Sequence, residues 1–497
     1  MINYYNVSNN YIGTFYVDDE EFQGELVYNR DSGKIVLNLK RELFINMAEA
    51  NDPESHTCKE LGKEYHRYEA VSGKLGEGND VVLFNCRCTY SAMKGDPMGH
   101  ARVLQLQAEY MIWNDPDAIG RKYSKLVFIL ENALRWSQLT QIDCTQGDIV
   151  KYNPIKNYPC FNWFGGKIYF GTDLKYDTIN PFQERTQIVE RLAVAILVEE
   201  DKDIHYFLDV RNKIMALISY GIKDNLNIVR QYLSQKDDIV EYPEGTFDKN
   251  DIECWKYDLL TSEPYHIVDE KFEGDYNLTL PLLSKDDSIP KKLELLTPVF
   301  NLYLSLFKYR DMPIEMVFLN MIQALETFHA RFFYGDEHGV RFQREVLAKY
   351  GETPITEFIF GRIPECKQKK VNLTPRIRHL LIETDEHLFW KFCEDGGKIV
   401  NKIVDARNYY THYGEGRESR AVKGKDLELL TEFIAFVLEY HVNTQICREL
   451  DKTPVIIDEL TFTDECEYAR YMRKQMENRD YLASQLQTEQ TSQTTTN

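Results

Sequence analysis

The stretch Lys398–Gly416, "KIVNKIVDARNYYTHYGEG", repeats its apolar residues at the spacing of one helix face. Side chains three and four residues apart share a face of an α-helix, and glycines that follow such a pattern are typical of a helix end. We therefore predict a helix over 398–413 that is ended by Gly414 and Gly416. Its apolar stripe is predicted to contain Ile399, Val400, Ile403, Val404 and Tyr410.

Helical periodicity also surrounds this stretch from about residue 290 onward. The segment "LLTPVFNLYLSLFKYRDMPIEMVFLNMIQALETFHARFFYG" predicts one or two long helices that end near Gly335. "TPRIRHLLIETDEHLFWKFCEDGG" predicts another helix, and "KDLELLTEFIAFVLEYHVNTQICREL" predicts a strongly apolar closing helix. Four or five helices with short connections predict a small up-and-down bundle.

The first 150 residues alternate instead between apolar and polar residues in short segments. "YIGTFYVDDEEFQGELVYN" and "GKIVLNLKREL" are separated by an Asn-Arg-Asp-Ser-Gly turn signal, and the pattern recurs further along. Short strands with regular turns predict an antiparallel sandwich or barrel. The predicted fold class is therefore α+β and multidomain, with a β-rich N-terminal region followed by an all-α helical bundle.

The predicted division has four parts. Residues 156–290 mix strand and helix patterns, and the C-terminal tail has too little apolar content to fold alone. The parts are a β-rich domain at 1–155, a mixed α/β regulatory or sensing region at 156–290, a helical domain at 291–455, and a helical extension with a disordered tail at 456–497.

Composition limits the classes of function. The formal net charge is −20, which argues against a protein that coats nucleic acid but leaves room for a small basic site. No apolar run approaches the roughly 18 residues that cross a bilayer, and the first residues lack the pattern of a signal peptide. Ten cysteines without a secretory signal predict reduced thiols and a cytoplasmic location.

Arg407, Asn408 and His412 form the pattern R-N-x3-H on the predicted helix. Asn408 and His412 are one turn apart on one face, Arg407 lies beside that face, and His412 falls in the last turn. Cleaving RNA without a metal requires proton transfers and positive charge at the phosphorus. Histidine titrates in the range of those transfers, and arginine binds phosphate with two hydrogen bonds. These three residues are therefore the candidate catalytic set.

A loose Arg–His spacing is weak evidence, because Arg331 and His338 match it without the asparagine. Requiring R-N-x3-H makes a chance match rare. The similar pair Arg211–Asn212 has no histidine after it. The structural alternative is a helix-end histidine that caps carbonyl groups beside an Arg–Asp pair.

The motif stretch, preceded by "MIQALETFHARFF" and followed by the apolar closing helix, resembles an Apea-like HEPN domain. The segments "YIGTFYVDDEEFQGELVYN", "VSGKLGEGNDVVLFNC" and "VFILENALRW" are similar to the β-rich domain that precedes this module in ApeA anti-phage proteins. The R-N-x3-H core is the specific part of this resemblance.

The resemblance implies a metal-independent endoribonuclease of bacterial abortive infection, with no cofactor required for catalysis. HEPN domains pair so that two such motifs face each other, which implies a homodimer or higher oligomer, an RNA substrate and a phage-derived trigger. Carried over, Arg407 would bind phosphate, Asn408 would orient the site, and His412 would act as general acid or base. Tyrosine adenylylation is not implied, because the H-x-Y pattern is replaced here by His412-Tyr413-Gly414.

Supporting roles follow from position and charge. Glu326, on a helix expected to pack against the motif helix, could orient Arg407 or His412, although a solvated helix face also explains it. Basic residues near the motif could dock RNA if they converge on it, and a solvated face is again the alternative. The RNA-binding candidates are Lys367, Lys369, Lys370, Arg376, Arg378, Arg417 and Arg420.

His56, Cys58, Cys86 and Cys88 form two pairs spaced at i, i+2, each on one face of a predicted strand. Zinc accepts such ligands, but C-x-C is looser than the usual C-x2-C spacing, so buried thiols are the alternative interpretation. A structural zinc ion is therefore an open possibility.

Two other functions stay open at the sequence level. The first is a non-catalytic helical module for binding or assembly, joined to a β-rich ligand-binding domain; the acidic surface favours it slightly. The second is carbohydrate binding or processing, which rests only on the aromatic residues of the β-rich half and lacks an obvious carboxylate pair.

Overall fold

The computed structural model of the chain describes residues 8–447 with several gaps. The predicted tail and the metal-ligand candidates His56 and Cys58 lie outside the described residues, as does the RNA-binding candidate Arg417. The gaps are 44–51, 56–58, 60–63, 77, 97–98, 147–148, 154, 156–157, 181–184, 236–256, 264–276, 310, 335–338, 385–395, 414–415 and 417.

The chain divides into two compact units. The first comprises residues 1–214 with 225–273, and the second comprises residues 215–224 with 274–497. Strands on both sides of residue 155 belong to one sheet of the first unit. The four-part division above stays a prediction. Within the described parts of both units, no helix has the length and apolar character that a membrane crossing requires.

Six strands of the first unit close into an antiparallel barrel. Each pairs with two others in the order β1-β2-β3-β6-β5-β4, and β4 pairs with β1 to complete the ring. A β-rich N-terminal region with barrel character, followed by helices, confirms the predicted fold class. The barrel strands are β1 (Ser8–Val17), β2 (Glu20–Asn29), β3 (Lys34–Leu43), β4 (Arg67–Leu75), β5 (Asp80–Asp96) and β6 (Gly99–Ala108).

Residues in the first turn and inside the barrel explain how its first strands pack closely. Asp18 and Asp19 connect β1 to β2 as a two-residue hairpin loop, and both have positive φ, as a type I′ turn requires. Inside the barrel the Phe15 ring lies opposite Gly73, where a Cβ atom would approach Phe15 Cδ1 to 2.3 Å. A residue without a side chain is therefore required at 73 for Phe15 to fill the interior.

The sheet continues beyond the barrel from β5. A register shift between Cys88 and Tyr90 bends this long strand, so its first half pairs with β4 and β7 and its second half with β6. From β5 the order runs β7-β15-β14-β8-β13-β12-β11, and β9 and β10 form a separate pair. The strands are β7 (Tyr110–Trp113), β8 (Tyr123–Leu130), β9 (Ile142–Gln146), β10 (Ile149–Tyr152), β11 (Cys160–Trp163), β12 (Gly166–Asn180), β13 (Arg185–Lys202), β14 (Ile228–Ser234) and β15 (Tyr257–Thr261).

Helices dominate the second unit and include those predicted from periodicity. The long segment before Gly335 forms two helices, followed directly by a π-helical turn at Ala330–Tyr334. Two helices between residues 339 and 360 were not predicted.

The helices of both units are numbered together in chain order. Within the described residues they are α1 (Leu134–Ser137), α2 (Ile204–Ile222), α3 (Ile289–Lys308), α4 (Ile314–His329), α5 (Gly339–Tyr350), α6 (Pro354–Phe360), α7 (Leu373–Thr384), α8 (Gly396–His412) and α9 (Lys425–Ile446).

Candidate functional site

Helix α8 positions the R-N-x3-H motif by burying its opposite side. Ile399, Val400, Ile403 and Tyr410 of the predicted stripe are buried, whereas Val404 is half-buried. The stripe packs against α4 and α7. Because the apolar face is fixed in this way, the rotation of the helix about its axis is fixed too. The orientation of the motif therefore follows from the packing of the core.

Arg407 lies at the margin of that buried face and is held by two neighbours. Its Nη1 donates to Asn408 Oδ1 at 3.3 Å, and its Nη2 lies 4.0 Å from Glu326 Oε2 on α4. The side chains of Arg407 and Glu326 are 33% and 26% exposed, so the guanidinium group is oriented by protein but still reached by solvent. The structure thus brings together three of the four predicted residues of the site.

His412 lies in the last turn of α8 and is exposed. Within the described residues it makes no hydrogen bond or ion pair, so the capping role considered above is not observed there. The last turn is closed instead by Tyr413, whose N–H donates to Tyr409 O at 2.6 Å and whose φ is +46°. Asn408 is one turn before His412, which places the two residues on one face as predicted.

The arrangement offers an oriented guanidinium group and, in the last turn of the same helix, an exposed imidazole. A guanidinium group can neutralise a phosphate and stabilise the extra charge of a pentacovalent phosphorane. An imidazole can accept or donate a proton near neutral pH. One copy of the chain supplies one such imidazole from this motif, whereas the cleavage reaction requires both a proton acceptor and a proton donor.

Of the six predicted RNA-binding residues that the structure describes, four are exposed, whereas Arg376 and Arg378 are half-buried. Lys367, Lys369 and Lys370 are exposed on the connection between α6 and α7, and Arg420 is exposed in a short 3-10 turn before α9. Arg378 is largely occupied within the fold, since its Nη1 donates to Phe358 O at 2.8 Å and its guanidinium lies 5.1 Å from the Phe358 ring centroid. Burial also lowers the pKa of Arg378. Through these contacts with Phe358, Arg378 connects α7 to α6.

Of the four candidate metal ligands, the structure describes only Cys86 and Cys88. Cys86 is fully buried in the barrel core, where burial raises the pKa of its thiol to about 12, and Cys88 packs against the same core. The described residues contain no group of three or more side chains that could hold a metal ion. Because His56 and Cys58 lie outside those residues, the zinc site stays a prediction.

Sequence reasoning missed a buried cluster of three histidines in the second unit. The His329 and His379 rings are 5.3 Å apart, and Phe333 contacts both of them and His441. Nε2 of His441 lies 2.9 Å from Leu380 O, which can only accept, so this nitrogen carries the proton. The three histidines follow one another at intervals of 50 and 62 residues, so no local sequence pattern reveals the cluster.

Glu383 lies beside this cluster and accepts hydrogen bonds from several side chains. Burial alone would raise its pKa, but hydrogen bonds from His379, Lys349 and Tyr350 outweigh burial and lower the pKa to about 2. Nζ of Lys349 lies 2.6 Å from Glu383 Oε1, and His379 Nε2 lies 3.4 Å from the same atom. The carboxylate therefore stabilises the helical unit chiefly in its charged form.

Because of this cluster, we predict that the free energy of unfolding decreases at acidic pH. Burial lowers the pKa of His441 from 6.5 to about 4 and that of His329 well below 6.5. A depressed histidine pKa means that the unfolded chain binds the proton first, so stability is full above pH 6.5 and falls as the pH drops towards 4. For His441 the loss is roughly 3 kcal/mol, and Glu383 adds a further loss between about pH 4.5 and 2.

The measurement is the free energy of unfolding from denaturant titrations between pH 7.5 and 4. His441→Gln should make the profile between pH 6.5 and 4 shallower, because glutamine carries no titrating proton and only the contribution of His329 stays. His66→Gln is the matched control, since the His66 side chain is exposed and contacts only Glu64 in the described structure. Parallel pH profiles for His441→Gln and the unaltered chain would contradict the assignment.

Comparisons with known proteins agree with the two-part architecture. The family model described as ApeA N-terminal domain 1 matches residues 10–286, which is more than half of the chain. The model described as Apea-like HEPN matches residues 319–452, which include most of α4 and the whole of α8 and α9. No curated protein and no solved structure matches the chain.

Proposed function

The chain belongs to the ApeA family, with an ApeA N-terminal domain followed by an Apea-like HEPN domain, and from this premise we propose that it is a metal-independent endoribonuclease. Its role would be that of an anti-phage effector in abortive infection. HEPN domains generally act on RNA and self-associate, and the residues of α8 suit that chemistry. RNA is therefore the proposed substrate.

The observation that carries this proposal is the state of the motif on α8. Arg407 is oriented by Glu326 and Asn408. The His412 side chain is exposed and makes no hydrogen bond or ion pair in the described structure. A purely structural motif has no need for both an oriented, half-exposed cation and an exposed imidazole at the end of the same helix. Such a pair is what phosphodiester cleavage requires from the protein.

The proposed reaction is attack of the ribose 2′-oxygen on the adjacent phosphorus. The 2′-oxygen–phosphorus bond forms and the phosphorus–5′-oxygen bond breaks, with one proton removed from the 2′-hydroxyl and one added to the leaving oxygen. Arg407 neutralises the phosphorane, and Asn408 holds the guanidinium group in place. His412 performs one proton transfer, and His412 of a second copy performs the other, so the active form is a homodimer or a higher oligomer.

The chemical ends of the RNA products would identify this mechanism. Transfer within one nucleotide leaves 2′,3′-cyclic phosphate and 5′-hydroxyl ends. The β-rich unit is proposed to sense a phage-derived trigger and thereby control the helical unit. The location of the protein is proposed to be the cytoplasm, where its RNA substrate and the trigger occur together.

The test is incubation of the purified full chain with total RNA, followed by sequencing of the new ends. We expect cyclic phosphate and 5′-hydroxyl ends, formed at the same rate with and without a strong chelator, because no step uses a metal ion. Loss of cleavage on chelation would contradict the proposal and favour a metal nuclease. Binding of RNA without any cleavage, in the presence of phage lysate as a source of trigger, would favour the non-catalytic binding module instead.

A further inference from the structure

Two tyrosines lie at the C-terminal end of α8, Tyr409 in its last turn and Tyr413 directly after His412. Tyr409 and Tyr413 are one turn apart, and their ring centroids are 5.5 Å apart with an interplanar angle of 62°. Tyr413 is 65% exposed, although large aromatic rings usually avoid solvent, and Tyr409 is half-buried. An exposed aromatic ring at this place offers a flat face on which a planar ligand can stack.

The exposed ring is held by an unusual backbone. Tyr413 has φ +46°, in the left-handed region that glycine normally occupies after a helix end. Its N–H donates to Tyr409 O, while the neighbouring Tyr410 is buried and its hydroxyl donates to Val422 O at 2.8 Å. The strained residue is thus fixed at the end of an anchored helix. Backbone strain of this kind persists where the surroundings hold it, often at ligand sites.

The two tyrosines and the motif residues are neighbours along the chain. Tyr409 directly follows Asn408, and Tyr413 directly follows His412. A nucleotide presents its phosphate and its base on opposite sides of the sugar. A phosphate at Arg407 and His412 would therefore leave its base, or the next one, beside the tyrosine rings.

The charges around the rings favour a polyanion. Nζ of Lys423 lies 5.6 Å from the Tyr409 ring centroid, and Arg420 is exposed in the preceding turn. Glu418 pairs with Lys423 at 2.7 Å, so part of this positive charge is offset. Aromatic rings interleaved with cations bind single-stranded nucleic acid, because stacking tolerates any base and the cations follow the phosphates.

We propose that Tyr409 and Tyr413 form a base-stacking subsite that selects unpaired RNA nucleotides at the cleavage site. This inference rests on the ribonuclease function proposed above and names the substrate class of that site. A base within a duplex is already stacked on its neighbours and presents no free face to the rings. The substrate is therefore a single-stranded region, such as a loop, rather than a double helix.

Binding and cleavage are measured separately so that the two proposals can fail independently. Binding uses the full chain with His412→Ala, a fluorescent single-stranded oligoribonucleotide and a duplex of the same sequence. Tyr413→Ala in this background should weaken single-strand binding roughly 5- to 100-fold and leave duplex binding unchanged. Tyr413→Phe should stay within about twofold of the parent, because it keeps the ring.

Tyr309→Ala is the matched control, since Tyr309 is also exposed on the helical unit but lies far along the chain from the motif. It should leave binding unchanged. A 2-aminopurine base in the oligonucleotide reports stacking directly: its fluorescence should be quenched by the parent and not by Tyr413→Ala. Equal binding and equal quenching for Tyr413→Ala would overturn the subsite even if the unaltered chain cleaves RNA.

Three further outcomes separate the possibilities. A chain that shows Tyr413-dependent binding but cleaves no RNA would support the subsite and overturn the ribonuclease function. A change in oligomeric state caused by Tyr413→Ala, seen by light scattering, would overturn the subsite by placing the ring in an interface between copies. A failure of the His412→Ala parent to bind any single-stranded RNA would overturn it as well.

Discussion

Replacement of His412 by alanine is expected to lower the rate of RNA cleavage by a factor of about 10²–10⁴, the usual contribution of a general acid or base. In a paired site with one histidine from each copy, the substitution removes both proton-transfer groups at once, so the upper part of that range is expected. His412 is exposed and makes no hydrogen bond in the described structure, so its loss should leave folding unaffected. Growth arrest on expression should disappear with the activity.

The measurement is single-turnover cleavage of a defined RNA by the purified chain. His66→Ala is the matched control, because His66 is likewise exposed but lies in the barrel unit. It should retain full activity. Unchanged thermal unfolding of His412→Ala would show that the fold is intact. If His412→Ala cleaves RNA as fast as the unaltered chain, the motif is not the site of proton transfer.

The N-terminal strands could be predicted from sequence, but the closure of the barrel could not. Alternation and turn residues are local signals, and Asp18–Asp19 and the glycine-containing turn after β2 act within a few residues. Closure depends on β5, whose two halves pair with different strands because of the shift between Cys88 and Tyr90. Strand pairing is non-local, and a single sequence does not state which edges meet.

The helices show a similar limit. Strong apolar stripes predicted α3, α4, α8 and α9, whereas α5 and α6 were missed. Helix α5 buries only a few side chains, among them Phe342, Gln343 and Val346, so its stripe is short and includes a polar residue. Helix α6 has seven residues and begins with Pro354, which reads locally as a chain break. Periodicity detects a helix only when it has a wide buried face.

Two Arg–Asn pairs show what sequence can say about the candidate site. Arg211 is 2% exposed and bonds to Asn212, Gln231, Thr261 and Glu263, so its charge is used inside the fold. Arg407 has the same sequence neighbour but is half-exposed at the margin of α8. The following histidine separated the two pairs in sequence. The degree of burial, which decides whether a phosphate can reach the guanidinium group, follows only from packing.

Replacement of Arg407 by alanine is expected to lower kcat by about 10²–10³, the usual loss when one preorganised donor to a transition-state oxyanion is removed. Arg407→Lys keeps the charge but loses the planar pair of donors, so it should recover only part of the activity. The partly exposed ion pair with Glu326, at 4.0 Å, contributes at most about 1 kcal/mol to stability. Loss of activity is therefore distinguishable from unfolding. Arg344→Ala, at an exposed arginine on α5, is the control and should retain kcat.

A double-mutant cycle with Glu326 then tests how the arginine is positioned. If Glu326 acts by orienting Arg407, Glu326→Gln should lower kcat in the unaltered chain and have no further effect in Arg407→Ala, because coupled residues are not additive. The loss in the single variant should be smaller than that of Arg407→Ala, since Asn408 still contacts the guanidinium group. Equal losses from Glu326→Gln in both backgrounds would show that Glu326 acts independently of Arg407, and that the ion pair across α4 and α8 does not position the phosphate-binding group.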